Sequence, residues 1–133
     1  TFASGRLYFG NGNVINPANW TEEGAFPKIG WYPHVEVNGT AARALFLGHD
    51  GYSTAYLGIY DQFTRRELAL LPIPGVLNGA NALTQCGRDC VAFRSSADVF
   101  VVRSSQIPYD PPADLVRSHG VRATGPTEGS GSV

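Results

Sequence analysis

Apolar residues along this chain come in short runs or in strict alternation, and Gly, Pro, Asn and Asp punctuate them every few residues. That is the pattern of β-strands with one buried face, bounded by tight turns. Strands are predicted over 6–10, 13–16, 22–27, 34–38, 42–48, 55–60, 66–73, 80–86, 90–95 and 99–103. The segment 34–38 shows the alternation well, with Val35 and Val37 on one face and Glu36 on the other. The Gly10-Asn11-Gly12 and Asn38-Gly39 steps read as turns. The segment 29–33 reads as a loop because it holds Gly30 and Pro33, and 49–54 reads as a longer polar loop.

The strands repeat. Residues 15–30 lie over 60–75 without a gap at an offset of 45, with Glu22, Pro27 and Gly30 falling on Glu67, Pro72 and Gly75. In both copies an apolar strand ends at a polar turn, Asn16-Pro17 or Asp61-Gln62, and a second strand runs on to a Pro and a closing Gly. Upstream, 7–10 matches 45–48 at an offset of 38, so the second copy carries seven extra residues between these strands. A period near 45 with several short strands per unit is the signature of propeller blades. The expected fold is all-β, with about three antiparallel blades over 1–105 as part of a larger ring. The middle blade has four strands. The first has three and at most a stub at Thr1-Phe2-Ala3, and the last lacks its outermost strand. From 106 to 133 Pro, Gly, Ser and Thr dominate, and this stretch reads as a tail or linker with at most a helical turn at 112–117.

Composition narrows the picture. At 43% hydrophobic and 16% charged, most of the chain can bury a core and is not of the disordered class. The net charge is -1 and Lys28 is the single lysine, so there is no basic stripe for a nucleic acid. No apolar run reaches membrane-spanning length. The chain opens on Thr1 rather than Met and is expected to be a processed or excised piece of a longer protein. Few lysines, no Met and abundant Gly suit an extracytoplasmic β-protein.

The stretch Gln85-Cys86-Gly87-Arg88-Asp89-Cys90-Val91-Ala92-Phe93-Arg94, followed by Val99-Phe100-Val101-Val102-Arg103-Ser104, resembles the last blade of bacterial secreted YVTN/WD40-like β-propeller proteins. These often read R-W-G-x-D-G-L-A-F-R before a strand ending in LVRS. Arg6-Leu7-Tyr8, Val14-Ile15-Asn16-Pro17 and the segment 70–76 fit other blade positions of that family. The resemblance covers roughly 1–105. It implies a propeller fold and an extracytoplasmic location, and it brings no catalytic residue with it. Cys86 stands where the family has Trp, and Cys90 where it has its second Gly.

Cys86 and Cys90 flank a three-residue turn and would face each other across a hairpin. A disulfide staple is the expected state in an oxidising compartment. Two free thiols, or a metal or redox pair, are the alternatives, although C-x3-C lacks the spacing of zinc and thioredoxin-like sites. Asn19-Trp20-Thr21 and Asn38-Gly39-Thr40 are N-glycosylation tripeptides, which arise by chance as well. His34, His49 and His119 fall in no metal-binding spacing, and no metal or cofactor is expected. No nucleophile elbow or phosphate loop occurs. Glu22-Glu23 reads as a solvated edge, since strand neighbours point to opposite faces.

Two loops combine aromatic and polar side chains on what strand order makes one common face: Trp31, Tyr32 and His34 in one, His49, Asp50 and Tyr52 in the other. They are the candidate binding residues; packing of Trp31 and Tyr32 between blades is the alternative. The function expected is therefore a non-enzymatic scaffold or binding module. Its partners would be the remaining blades on another chain, or copies of itself. The alternative is a fragment of a propeller enzyme of lyase, hydrolase or quinoprotein type, with its active site mainly on other blades.

Overall fold

A computed structural model describes residues 1–27, 30–87 and 89–107, apart from the side chain of Tyr32. The described residues form no helix. They form eleven strands in three antiparallel sheets. β1 (Phe2–Ala3), β2 (Arg6–Tyr8), β3 (Asn13–Asn16) and β4 (Thr21–Ala25) make the first sheet, in sequence order. β5 (Trp31–Asn38), β6 (Arg43–His49), β7 (Thr54–Asp61) and β8 (Glu67–Pro74) make the second. β9 (Asn81–Gln85), β10 (Cys90–Arg94) and β11 (Val99–Arg103) make the third. Of the residues paired by the 45-residue offset, Ile15 and Tyr60 lie on third strands and Glu22 and Glu67 on fourth strands, whereas Pro27 lies past the end of β4 and Pro72 within β8.

The sheets stack as layers, because each middle strand is apolar on the faces it buries. Tyr8, Val14 and Phe26 meet Ala44, Phe46 and Tyr60 between the first and second sheets, with Val35 and Val37 beside them. Leu45, Leu57 and Ile59 meet Val91 between the second and third, continuing through Leu47, Ala55 and Phe93. The first strands of successive sheets lie side by side, β1 against β5 and β5 against β9. β6 and β7 are buried on both faces, which accounts for their continuous apolar runs.

Turn chemistry sets the register. Ser4 and Gly5 both have positive φ, as a two-residue hairpin turn requires. The turns closing the third strands of the first two sheets are alike. Asn16 and Asp61 each accept backbone N–H groups through a side-chain oxygen. Four residues on, Trp20 and Arg65 sit in the left-handed region at φ 57° and 63°. Their N–H groups donate to the carbonyls of Asn16 and Asp61.

The structure corrects the start of the fifth strand. The segment 29–33 was expected to be a loop, but β5 already begins at Trp31, paired with His49. One extra residue is taken up before His34 pairs with Leu47. Such a bulge accommodates Pro33, which has no N–H to give to a ladder. The stub at 1–3 is a short strand, so the first sheet has four strands. At the other end, Ile107 is fully buried with Leu45, Leu57 and Val91, so the packed body runs at least two residues past 105. The expectations for 112–117, for His119 and for the rest of the 108–133 tail lie outside the described residues.

Candidate functional site

Of the two aromatic segments, only Trp31 of the first is seen to meet the loop after His49, at one end of the second sheet. Trp31 opens β5 directly across from His49, the last residue of β6. The close approach depends on Gly30, whose φ is +58° and where a Cβ would run into the backbone of His49. Beyond His49 the loop 50–53 turns back into β7. A Cβ placed on Gly51 would lie 3.8 Å from Trp31 Cδ1, so the indole flanks this loop. Trp31 is 60% exposed and Tyr52 82% exposed. Trp31 therefore does not fill the space between sheets. Of Tyr32, only its place in β5 is described. His34 lies farther along β5, half-buried and in register with Leu47, outside this cluster.

Asp50 builds the loop. Its Oδ1 accepts the backbone N–H groups of Tyr52, Ser53 and Thr54 at 2.7, 3.1 and 3.2 Å. These bonds, Tyr52's first, hold its carboxyl below the usual carboxylate range against a smaller opposing effect of burial. His49 is structural rather than a surface ligand. It is buried, and its Nδ1 accepts the N–H of Gly51 at 3.1 Å. That bond assigns the ring proton to Nε2, which donates to the Val76 carbonyl at 2.6 Å. With both ring nitrogens engaged, His49 is not placed to act as a general base. The Asp50 Oδ1 to His49 Nδ1 distance of 3.9 Å adds no hydrogen bond. The result is a loop held by Asp50 that carries the exposed Tyr52 and one carboxylate, with the exposed Trp31 at the start of β5 beside it.

The remaining candidates are dispersed. Cys86 and Cys90 have their sulfurs within bonding distance and their Cα atoms 5.2 Å apart, and the Cys86 N–H donates to the Cys90 carbonyl. Asn19 is exposed in the β3–β4 turn, its Oδ1 accepting from the Thr21 N–H and hydroxyl at 3.1 and 2.7 Å. Asn38 is 7% exposed, and its Nδ2 donates to Gln85 Oε1 at 3.3 Å. A glycan on Asn38 would require that amide to leave its place; Asn19 has no such obstacle. Glu22 and Glu23 lie exposed on β4, the edge strand of the first sheet, as expected, and Glu23 also pairs with Arg6. The described residues contain no group of three or more His, Cys, Asp or Glu side chains placed to hold a metal ion. They also contain no helix long and apolar enough to cross a membrane.

Sequence reasoning missed a polar cavity at the opposite end of the stack, between the first and second sheets. Ser4, Arg6, Tyr8, Glu23, Gln62 and Arg65 line it. The signal was weak: where the first copy has Pro17 and Trp20, the second has Gln62 and Arg65.

Comparison with known proteins gives no match: no family model fits the chain, and no curated protein or solved structure matches it.

Proposed function

We propose that this chain is a non-enzymatic β-propeller segment of an extracytoplasmic protein, acting as a scaffold or binding module completed by further blades. The observation that carries the reading is the open face of the third sheet. Along β11, Phe100 and Val102 pack inward, while Val99 and Val101 alternate outward at 74% and 48% exposed. Ala92 lies across from Val101 on that outward side. β10 lies on one side of β11, and no strand of the described residues lies on the other. An apolar sheet face beside an unpaired edge recruits another sheet. By contrast, the outer strand of the second sheet, β8, carries Pro72 and Pro74, residues that blunt an edge. Stacked sheets with adjacent first strands support a radial blade arrangement, and the cysteine pair supports an oxidising compartment. The sheet that would cover this face comes from another chain or from a copy of this one. Trp31 and Tyr52 then form the contact end toward a partner.

Sedimentation velocity of the 14.2 kDa chain tests the reading. Concentration-dependent association is expected at micromolar protein, and Val99→Lys with Val101→Lys is expected to weaken it. A compact monomer with full β content, unchanged by those substitutions, would overturn the proposal.

A further inference from the structure

Each sheet of the stack has a front, toward the preceding sheet, and a back, toward the following one. Ala44, Phe46 and Tyr60 form the front of the second sheet, buried against the first. Leu45, Leu57 and Ile59 form its back, buried against the third. Among the described residues, the front of the first sheet and the back of the third have no sheet over them.

The front of the first sheet is apolar. Tyr8 and Val14 face the second sheet. Phe2, Leu7 and Ile15 stand in register across β1, β2 and β3 on the other face. Phe9, the next position on that side after Leu7, extends the row. Phe2 and Phe9 are 64% and 46% exposed. Glu22, paired with Ile15, carries the charge of this front, because Arg6 and Glu23 pair with each other at the cavity toward the second sheet.

This front complements the back of the third sheet. At the 45-residue offset Ile15 matches Tyr60, which is buried against a preceding sheet; Ile15 is the same repeat position without one. The front is large, with two phenylalanines. The back is small, with Ala82, Thr84, Ala92 and Val99 around a shallow hollow of about 170 Å³. Arg94 and Arg103 are the only charged residues of β9, β10 and β11, and both lie on the back with Val99 and Val101. Glu22 stands by the closing end of β3, and Arg103 closes β11, the matching third strand. Front-to-back pairing sets acid against base, whereas back-to-back pairing sets arginines against arginines.

We propose that the back of the third sheet is covered by the front of the first sheet of a second copy, and that two copies close into one ring. The proposal rests on the blade reading above and names its partner. The step is the one made twice within the chain, where β1 lies against β5 and β5 against β9. A front-to-back contact leaves one front and one back open until a ring closes. Two copies bring six sheets, inside the span of about four to eight blades in closed propellers, and three copies exceed it.

The test is sedimentation velocity of the full chain, combined with mixing. Wild type is expected to reach twice the 14.2 kDa chain mass and to grow no further. Phe2→Lys with Phe9→Lys blocks the front, and Val99→Lys with Val101→Lys blocks the back. Each pair alone is expected to raise the dimer dissociation constant about tenfold or more, because it puts charge into an apolar contact. Mixed in equal amounts, the two variants are expected to form a one-to-one dimer, since the intact back of one fits the intact front of the other. Far-ultraviolet circular dichroism checks that each variant keeps its strands, with Phe2→Ser and Phe9→Ser as the milder front pair. Association weakened by the back pair but not by the front pair would overturn the proposal and leave the blade reading standing. So would a mixture that associates no better than either variant alone, or a wild-type species larger than a dimer. A compact wild-type monomer, insensitive to both pairs, would overturn the proposal and the blade reading together.

Discussion

Phe26 and Phe46 hold their rings 5.0 Å apart, tilted by 43°, across the boundary between the first and second sheets. Tyr60 meets both edge-on, at 5.7 and 5.9 Å. Neither sheet buries this surface alone, so the cluster makes one body of two sheets. Phe46→Ala is expected to cost about 3–5 kcal/mol, and Phe46→Leu well under half of that. Urea unfolding followed by far-ultraviolet circular dichroism measures both. A loss below about 1 kcal/mol for Phe46→Ala would show that these sheets do not depend on each other.

The Cys86–Cys90 pair closes a loop with only three residues inside it. Alkylation without reductant is expected to leave the intact mass unchanged, and alkylation after reduction to add two labels. Because the loop is short, Cys86→Ala with Cys90→Ala should cost about 2 kcal/mol at most. Two labels without reductant would mean free thiols and would remove one support for an oxidising compartment.

Glu36 titrates against the fold. Burial on β5 raises its carboxyl above the usual range, only partly countered by the N-terminal amine. Below both its unfolded and folded pKa it is neutral in either state and costs nothing. As pH rises through the unfolded value and then the folded one, the unfolded chain ionises first and the fold loses stability. Glu36→Gln is therefore expected to stabilise the protein at pH 7, with the gain fading by about pH 3. Asp50 and Asp61 act with the opposite sign. Backbone N–H groups, led by those of Tyr52 and Thr64, lower their carboxyls. Their contribution is present at neutral pH and is lost as pH falls through the folded values. Thermal melts of wild type and Glu36→Gln between these limits separate the two effects. A constant difference across that range would contradict the assignment.

The strands were legible because alternation and apolar runs follow directly from which faces are buried, as in β6 and β7. The start of β5 was not, because a bulge that accommodates Pro33 leaves no periodic trace and Gly30 imitates a loop. Strand order correctly brought Trp31 and the 50–53 loop to one end. It could not show that His49 faces inward, since the bond that holds it reaches Val76, 27 residues on. The cavity was hidden for the same reason. Gln62 finds Tyr8, and Arg65 finds Glu23, across 54 and 42 residues of sequence.

The matching turns at Trp20 and Arg65 allow backbone strain and side-chain contact to be separated. Both residues have positive φ at the same turn position, with the same N–H to carbonyl closure. A non-glycine residue there carries strain of about 1 kcal/mol or more, which glycine removes, though glycine also gives the unfolded chain more freedom. Trp20 is 73% exposed and appears in none of the core clusters, so Trp20→Gly is expected to stabilise the protein by up to about 1 kcal/mol. Arg65→Gly gains the same relief but loses the bond to the Glu23 carbonyl and the contact over Phe26. Its net effect should therefore be neutral or destabilising. Chemical unfolding of the two variants side by side is the measurement. Equal stabilisation by both would mean that Arg65 contributes nothing to joining the sheets, and that its placement over Gly24 is incidental.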